Sequence, residues 1–472
     1  MRILITLVLT FMTGCAVGPK YTRPAVQSPL QFRGGETPAE NSSLADLPWW
    51  EVFSDRTLQT LIQKAVVNNY DLRVAITRIE QARQLAAEAR SEFLPSVRYQ
   101  GATSGGRNEF AGSAVQNGGA VRGSFASLVG VAWEADLWGR IRHSNEAALA
   151  SYLQTEQARR AIQLSVASET AQAWFELLGL DWQREIAMRT TESFTNTLNI
   201  FTQRLEGGIA SRLDTSRAAA ARASASATVS ELERQIMLKE NQISVLLGQN
   251  PGPILNRSTL LDQPLPPDVP VGLPSELLER RPDVLAAEQQ VRVANAEVGI
   301  ATAAFFPRIG LTSFLGGLST PLLDINAAKA AAFSFAENTA GPLYQGGSLK
   351  AEKRRAIALW EQAKLQYQQT TLQAFEDVSN ALISRQKFEA IRADQTETVA
   401  AYKESVDVAL KRYIAGRASY FEVLEAQQQL FPAENALAVT EMNRRAVVVQ
   451  LYKSLGGGWK LSNAQWPNPI HP

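Results

Sequence analysis

Apolar positions are sparse and regularly spaced along two stretches of this 472-residue chain. Between residues 140 and 206 no proline interrupts a run rich in Ala, Gln, Glu and Arg, and Ile162, Val166, Ala173 and Leu177 trace a narrow apolar seam. Between 348 and 414 the same texture returns, with a seam of Leu365, Leu372, Phe375 and Leu382. Each run predicts a single helix, roughly 100 Å long at ~1.5 Å per residue. So narrow a seam on so long a helix belongs to a coiled-coil-like assembly rather than a globular core.

Both runs end in a glycine tip. Arg204-Leu205-Glu206-Gly207-Gly208-Ile209-Ala210-Ser211 is answered, 208 residues later, by Arg412-Tyr413-Ile414-Ala415-Gly416-Arg417-Ala418-Ser419. A glycine can adopt positive φ after a helix, and the serine three residues on is a ready N-cap for the next. Gly207, Gly208, Ser211, Gly416 and Ser419 therefore predict the tips of two helical hairpins, at 206–211 and 414–419. Return helices follow, ending at Leu247-Gly248 and Leu455-Gly456. Pro432 lies inside the second and predicts a kink. Residues 71–95 also recur at 283–307. The helix they predict, roughly 35 Å, and the return helix, roughly 55 Å, together match one long helix. The chain thus reads as a two-fold repeat: 49–248 and 275–456, joined by a linker at 249–274 that holds seven prolines.

Between the short and long helices of each half, the period falls to two. Strands are predicted at about 96–106 and 122–137, where Phe125, Val129, Val131 and Trp133 alternate, and at about 308–317 and 330–341, with Phe333 and Phe335 on one face. A Gly/Asn/Ser loop fills 107–121. Four strands cannot close a barrel, and open edges are not tolerated facing lipid. Strands of about ten residues match a tilted membrane-spanning strand. If they span a membrane, several chains must pool them, and three chains would give twelve. The alternative is a soluble helical protein carrying two local hairpins.

The N-terminus favours the membrane. Met1-Arg2 is followed by an apolar run from Ile3 to Phe11 and then by Met12-Thr13-Gly14-Cys15. That run is too short to span a bilayer as a mature helix and reads as the core of a signal peptide over 1–14. Small residues before the single cysteine resemble a bacterial lipobox, which implies cleavage before Cys15 and a covalent lipid on it. Ala16, rather than Asp, follows the cysteine, which favours the outer membrane. With one Cys, an intrachain disulfide is impossible. Residues 15–48, with five prolines, predict an extended lipid-anchored strap, and 457–472 a short polar tail.

Composition removes other classes. A net charge of +1 and no basic patch interleaved with aromatics argue against nucleic acid. Two histidines, His143 and His471, and one cysteine leave no His/Cys metal set. No acid/base constellation or phosphate loop appears, so no catalytic residue, metal or cofactor is expected beyond the lipid.

Cys15-Ala16-Val17-Gly18-Pro19-Lys20-Tyr21, Trp49-Trp50 with Phe53, Glu279-Arg280-Arg281-Pro282-Asp283-Val284, Phe305-Phe306-Pro307 and Arg412-Tyr413 through Glu425-Ala426-Gln427 resemble the TolC-like outer-membrane efflux factors, in their lipoprotein branch (the NodT or OprM group). The resemblance covers essentially the whole mature chain. It implies a mixed α and β homotrimer, with a twelve-stranded outer-membrane barrel continued by a long periplasmic helical barrel, in the outer membrane of a Gram-negative bacterium. It further implies an exit duct for small toxic compounds, partnered by a periplasmic adaptor and an inner-membrane pump of the RND type. Type I protein secretion and a pore-less, lipid-anchored periplasmic scaffold are the alternatives. The family's tunnel is pinched near the helix tips. The matching positions are Phe421, Glu422 and Glu425, with Asp214 the counterpart of Glu422 in the first half. Acids three apart share a helix face, and three-fold symmetry would make rings of carboxylates that favour cations. Arg412, Tyr413 and Arg417 are the expected clamps, and the glycine tips the expected docking end for the adaptor.

Overall fold

The computed structural model describes residues 16–35, 43–106, 122–265, 272–319 and 331–458. Cys15, the signal segment, the 107–121 loop and the chain beyond Gly458 lie outside the described residues. The principal elements are α1 (Arg56–Asn68), α2 (Tyr70–Ser91), β1 (Ser96–Gly106), β2 (Arg122–Ala135), α3 (Arg140–Glu206) and α4 (Arg212–Leu246) in the first half. The second half has α5 (Pro282–Ala303), β3 (Arg308–Ser319), β4 (Ala331–Ala340), α6 (Ser348–Ile414) and α7 (Tyr420–Ser454). Both long helices have 67 residues and both return helices 35. Helix α7 runs unbroken through Pro432. Among the described residues no helix is long and apolar enough to cross a membrane.

Two compact units divide the chain. The first comprises Met1–Ala25, Arg78–Glu156 and Ala286–Gln368. Its centre is one antiparallel sheet in the order β1-β2-β3-β4. Registers such as Tyr99↔Val129, Val129↔Leu315 and Leu315↔Phe333 run straight across it. Paired residues share a face. The face holding Val97, Tyr99, Val129, Val131, Leu315, Phe333 and Phe335 is apolar in all four strands, and these side chains are exposed. Arg98, Gln100, Gly130, Thr312, Ser334 and Asn338 stand on the other. β2 stops two residues before the expected end because Asp136 turns back to cap α3: its carboxylate accepts from the backbone N–H groups of Ile141 and Arg142, both at 3.0 Å.

The second unit, Val26–Thr77, Gln157–Leu285 and Gln369–Pro472, is helical. Trp49 is buried edge-on to Trp50, and Phe53 packs against Phe175 and Tyr452. The end-to-end stacking of shorter helices expected from their lengths is visible at two equivalent joints. At the first, Gly248 closes α4 with φ +67°, and a Cβ there would lie 2.5 Å from the Asn68 carbonyl oxygen. The next residue, Asn69, caps α2 and donates from its side chain to the Leu246 carbonyl at 3.1 Å. At the second, Gly456 packs on the Arg280 carbonyl, and Arg281 donates to the Ser454 carbonyl at 3.2 Å. An amide and a guanidinium thus do the same work of satisfying the last-turn carbonyl of a return helix. Arg281 is also tied to Asp283 and Asp377.

Candidate functional site

Within the helical unit the two tips are built alike. Gly208 has φ +73° and Gly416 φ +71°. At the first, the N–H of Gly208 donates to the Leu205 carbonyl and that of Ile209 to Arg204. At the second, Gly416 donates to Tyr413 and Arg417 to Arg412. This is the Schellman pattern that ends a helix on a left-handed residue. Chain neighbours aside, no atom of the described residues lies within 4 Å of a Cβ placed on either glycine, so these glycines serve the turn and not a close approach.

The acids expected at the gate also start helices. Ser211 and Asp214 cap reciprocally: the Asp214 N–H donates to the Ser211 hydroxyl at 3.2 Å, and the Asp214 carboxylate accepts from that hydroxyl at 2.7 Å and from the Ser211 N–H at 3.3 Å. Glu422 divides its oxygens. Oε1 accepts from the Ser419 N–H at 3.3 Å, and Oε2 lies 3.4 Å from Arg412, with the two side chains 41% and 55% exposed. Phe421, immediately before Glu422, and Glu425, about one helical turn beyond it, are exposed. Arg417 is exposed and pairs with no carboxylate among the described residues.

Tyr413, expected as a clamp on the acids, packs against the first hairpin. Its ring carries Arg204 of the first hairpin at 4.5 Å and packs near Phe201 and Tyr420. This belongs to an apolar cluster that joins the two hairpins behind their tips, with Phe194, Phe201, Ala218 and Ala225 on one side and Ala409, Tyr420, Val423, Leu424 and Ala426 on the other. Tyr420 and Phe201 approach to 4.0 Å between centroids. The Tyr420 hydroxyl is buried without a hydrogen-bond partner among the described residues, and burial, aided by the Asp214 charge and Tyr413, pushes its phenol up to about 12. Tyr420 was not legible in the sequence because Phe201, the ring it meets at 4.0 Å, comes from the other hairpin. Deeper in the unit, Gln427 donates to Ser193 at 3.0 Å, and Glu434 meets Arg189 of α3 and Lys403 of α6.

In the other unit the strap is held residue by residue. Val17 donates to the Trp138 carbonyl at 3.1 Å, and the buried His143 places Nε2 3.2 Å from the Val17 carbonyl and Nδ1 2.8 Å from Glu146. Asn295 donates to the Pro19 carbonyl. The Tyr21 hydroxyl donates to Glu288 at 3.0 Å, Arg23 pairs with the same carboxylate at 2.9 Å, and Arg292 lies over the Tyr21 ring. Burial opposes charge on Glu288, yet the hydrogen bonds from Arg292 and Tyr21 and the Arg23 charge outweigh it and hold its carboxyl below the usual range. The strap is thereby fixed beside Gly139, whose φ of +83° and contact with Ala16 leave no room for a side chain.

The sequence profile of the outer membrane efflux protein family matches residues 61–249 and again 273–457. The toluene efflux pump outer membrane protein TtgC of Pseudomonas putida is 34% identical over 97% of this chain and 96% of its own. The cation efflux system protein CusC of Escherichia coli K12 is 30% identical over 95% of this chain and 97% of its own. The outer-membrane channel OprN superposes with a TM-score of 0.87 at 30% identity, over 94% of this chain and 100% of that structure. The MtrE outer membrane channel of Neisseria gonorrhoeae, solved in its open state, gives 0.85 at 29% identity, over 94% of this chain and 99% of its own. With both halves matched by one profile and nearly the full length shared with curated relatives, the chain belongs to the outer membrane efflux protein family.

Proposed function

We propose that this protein is the passive outer-membrane exit duct of a tripartite efflux system, and that it works as a homotrimer. The observation that carries this reading is the sheet. Its four strands leave β1 and β4 as edges, and one face is apolar and exposed from strand to strand. An exposed apolar face bordered by two open edges is a liability in water and a requirement in lipid. Three copies pooling their strands make a closed twelve-stranded barrel whose outer face is this apolar one, with no backbone group left unpaired in the bilayer. The long helices continue the wall on the periplasmic side, and the strap ties the barrel to a lipid on Cys15.

The duct closes behind the tips. Phe421, Glu422 and Glu425, with Asp214 from the first hairpin, form the constriction, and Arg412 braces it through Glu422. The tips at Gly207, Gly208, Ser211, Gly416 and Ser419 meet a periplasmic adaptor, which opens the gate for an inner-membrane pump of the RND type. Relatives of similar identity are named for toluene and for cations. Cargo is therefore set by the pump, and small toxic compounds are its class.

Purified full-length protein added to planar bilayers is expected to give discrete, ohmic conductance steps. Glu422→Lys with Glu425→Lys is expected to shift ion selectivity away from cations. Membrane-inserted trimer that conducts nothing, with or without these changes, contradicts the duct. Unchanged selectivity removes the two acids from the constriction.

A further inference from the structure

The junctions where strands meet helices are equivalent in sequence but not in environment. After β2, Trp138 stacks on Phe306 with centroids 4.6 Å apart and planes 21° apart, and its indole N–H donates to the Pro307 carbonyl at 2.8 Å. This contact lies where the end of β2 runs beside the start of β3. After β4, Leu343-Tyr344 stands in the place of Leu137-Trp138. Leu343 is 104% exposed and Tyr344 88%. The counterpart of Phe305-Phe306-Pro307 is Phe93-Leu94-Pro95, where Leu94 is 68% exposed. One junction is closed within the chain, and the two surfaces equivalent to its halves, both apolar, are exposed.

We infer that Leu343 and Tyr344 of one chain dock on Phe93, Leu94 and Pro95 of a second copy, taking between chains the place that Leu137 and Trp138 take within one. The inference rests on the pooled-strand reading above and adds the contact that sets the seam. Strand directions fit it. Adding β1 of a second copy beside β4 continues the antiparallel order, because β4 runs as β2 does and β1 as β3 does. The end of β4 then lies beside the start of the neighbour's β1, as the end of β2 lies beside the start of β3. Tyr344 packs its ring on the neighbour's aliphatic Leu94, which stands where Phe306 does in the in-chain contact, and its hydroxyl is the donor for the neighbour's Pro95 carbonyl. The occupant is a second copy because the complementary surface is carried by this chain and belongs to the opposite edge of the same sheet. Such a head-to-tail contact makes a ring when its rotation closes, as the three-copy reading requires.

Cys15 is the only native cysteine, so introduced pairs are unambiguous. In the full-length lipidated protein, Leu94→Cys with Tyr344→Cys is expected to give covalent dimers and trimers on oxidation, reversed by reductant. Trp138→Cys with Phe306→Cys, the in-chain pair, is expected to cross-link without raising the chain number. Because cysteine removes the aromatic ring, a second measurement places a benzoyl-phenylalanine photoprobe at residue 344, which is expected to label residues 93–95 of another chain. Tyr344→Ala is expected to lower the dissociation temperature of the trimer, and Tyr344→Trp to restore it. A normal trimer in which neither probe joins the chains, or in which the label falls away from 93–95, overturns the proposed seam and leaves the trimer standing. Absence of any trimer in the unmodified protein overturns both.

Discussion

Replacing Arg412 with alanine removes the ion pair that braces the second tip while leaving the helix start intact, since Glu422 keeps its bond to the Ser419 N–H. At 3.4 Å, two unit charges in water attract by about 1 kcal/mol. Holding two half-exposed side chains in one geometry offsets part of that, so such pairs contribute about 0.2–1 kcal/mol. If three copies oppose opening together, their sum is about 0.6–3 kcal/mol, a roughly three- to 150-fold change in the closed-to-open ratio. The assay is open probability in planar bilayers, compared between wild type and Arg412→Ala. At ~0.1 M salt the variant should be open more often. At ~1 M salt the Debye length falls to about 3 Å, and the two proteins should converge. Equal open probabilities at low salt would show that the pair plays no part in closure. A difference that persists undiminished at high salt would assign the effect to something other than charge.

Tyr420→Phe removes a buried hydroxyl that has no partner, so thermal stability should be unchanged or slightly raised, whereas Tyr420→Ala should cost about 3–5 kcal/mol through the cavity it leaves. A large loss in Tyr420→Phe would mean that the hydroxyl finds a partner in the assembled protein. Gly208→Ala should cost only the left-handed backbone term, about 1–2 kcal/mol. Gly248→Ala should cost more, because its Cβ meets the Asn68 carbonyl at 2.5 Å, and denaturant midpoints of the two variants test that ranking. Glu288 titrates below its ordinary range in the folded protein. Its hold on the strap is therefore complete above the ordinary carboxylate value of about 4.3 and is lost as pH falls through the lower folded-state value. Glu288→Gln should weaken that hold even at pH 7, read as faster hydrogen exchange in residues 16–25.

Elements set by long repeating patterns were the most legible. Both 67-residue helices and all four strands stand where periodicity placed them, because nothing competes with an uninterrupted seam or a steady alternation. Discrepancies arose where a single side chain decides a boundary, as when Asp136 ends β2 by capping α3. Contacts between distant residues were not legible. His143 reads as one polar residue in a polar helix, yet it meets Val17 across 126 positions, and Asn295 meets Pro19 across 276. At the tips the glycines and serines declared their turns through local chemistry alone. Tyr413 did not declare that its ring meets Arg204 and Phe201, since both lie on the other hairpin.

The pooled sheet is tested most directly by native mass spectrometry of the full-length protein released from detergent. Three chains in one complex, each carrying the mass of a lipid on Cys15, are the predicted result. A single chain, intact and folded, would contradict it, because four strands with an exposed apolar face and two open edges could not then form the wall of a channel.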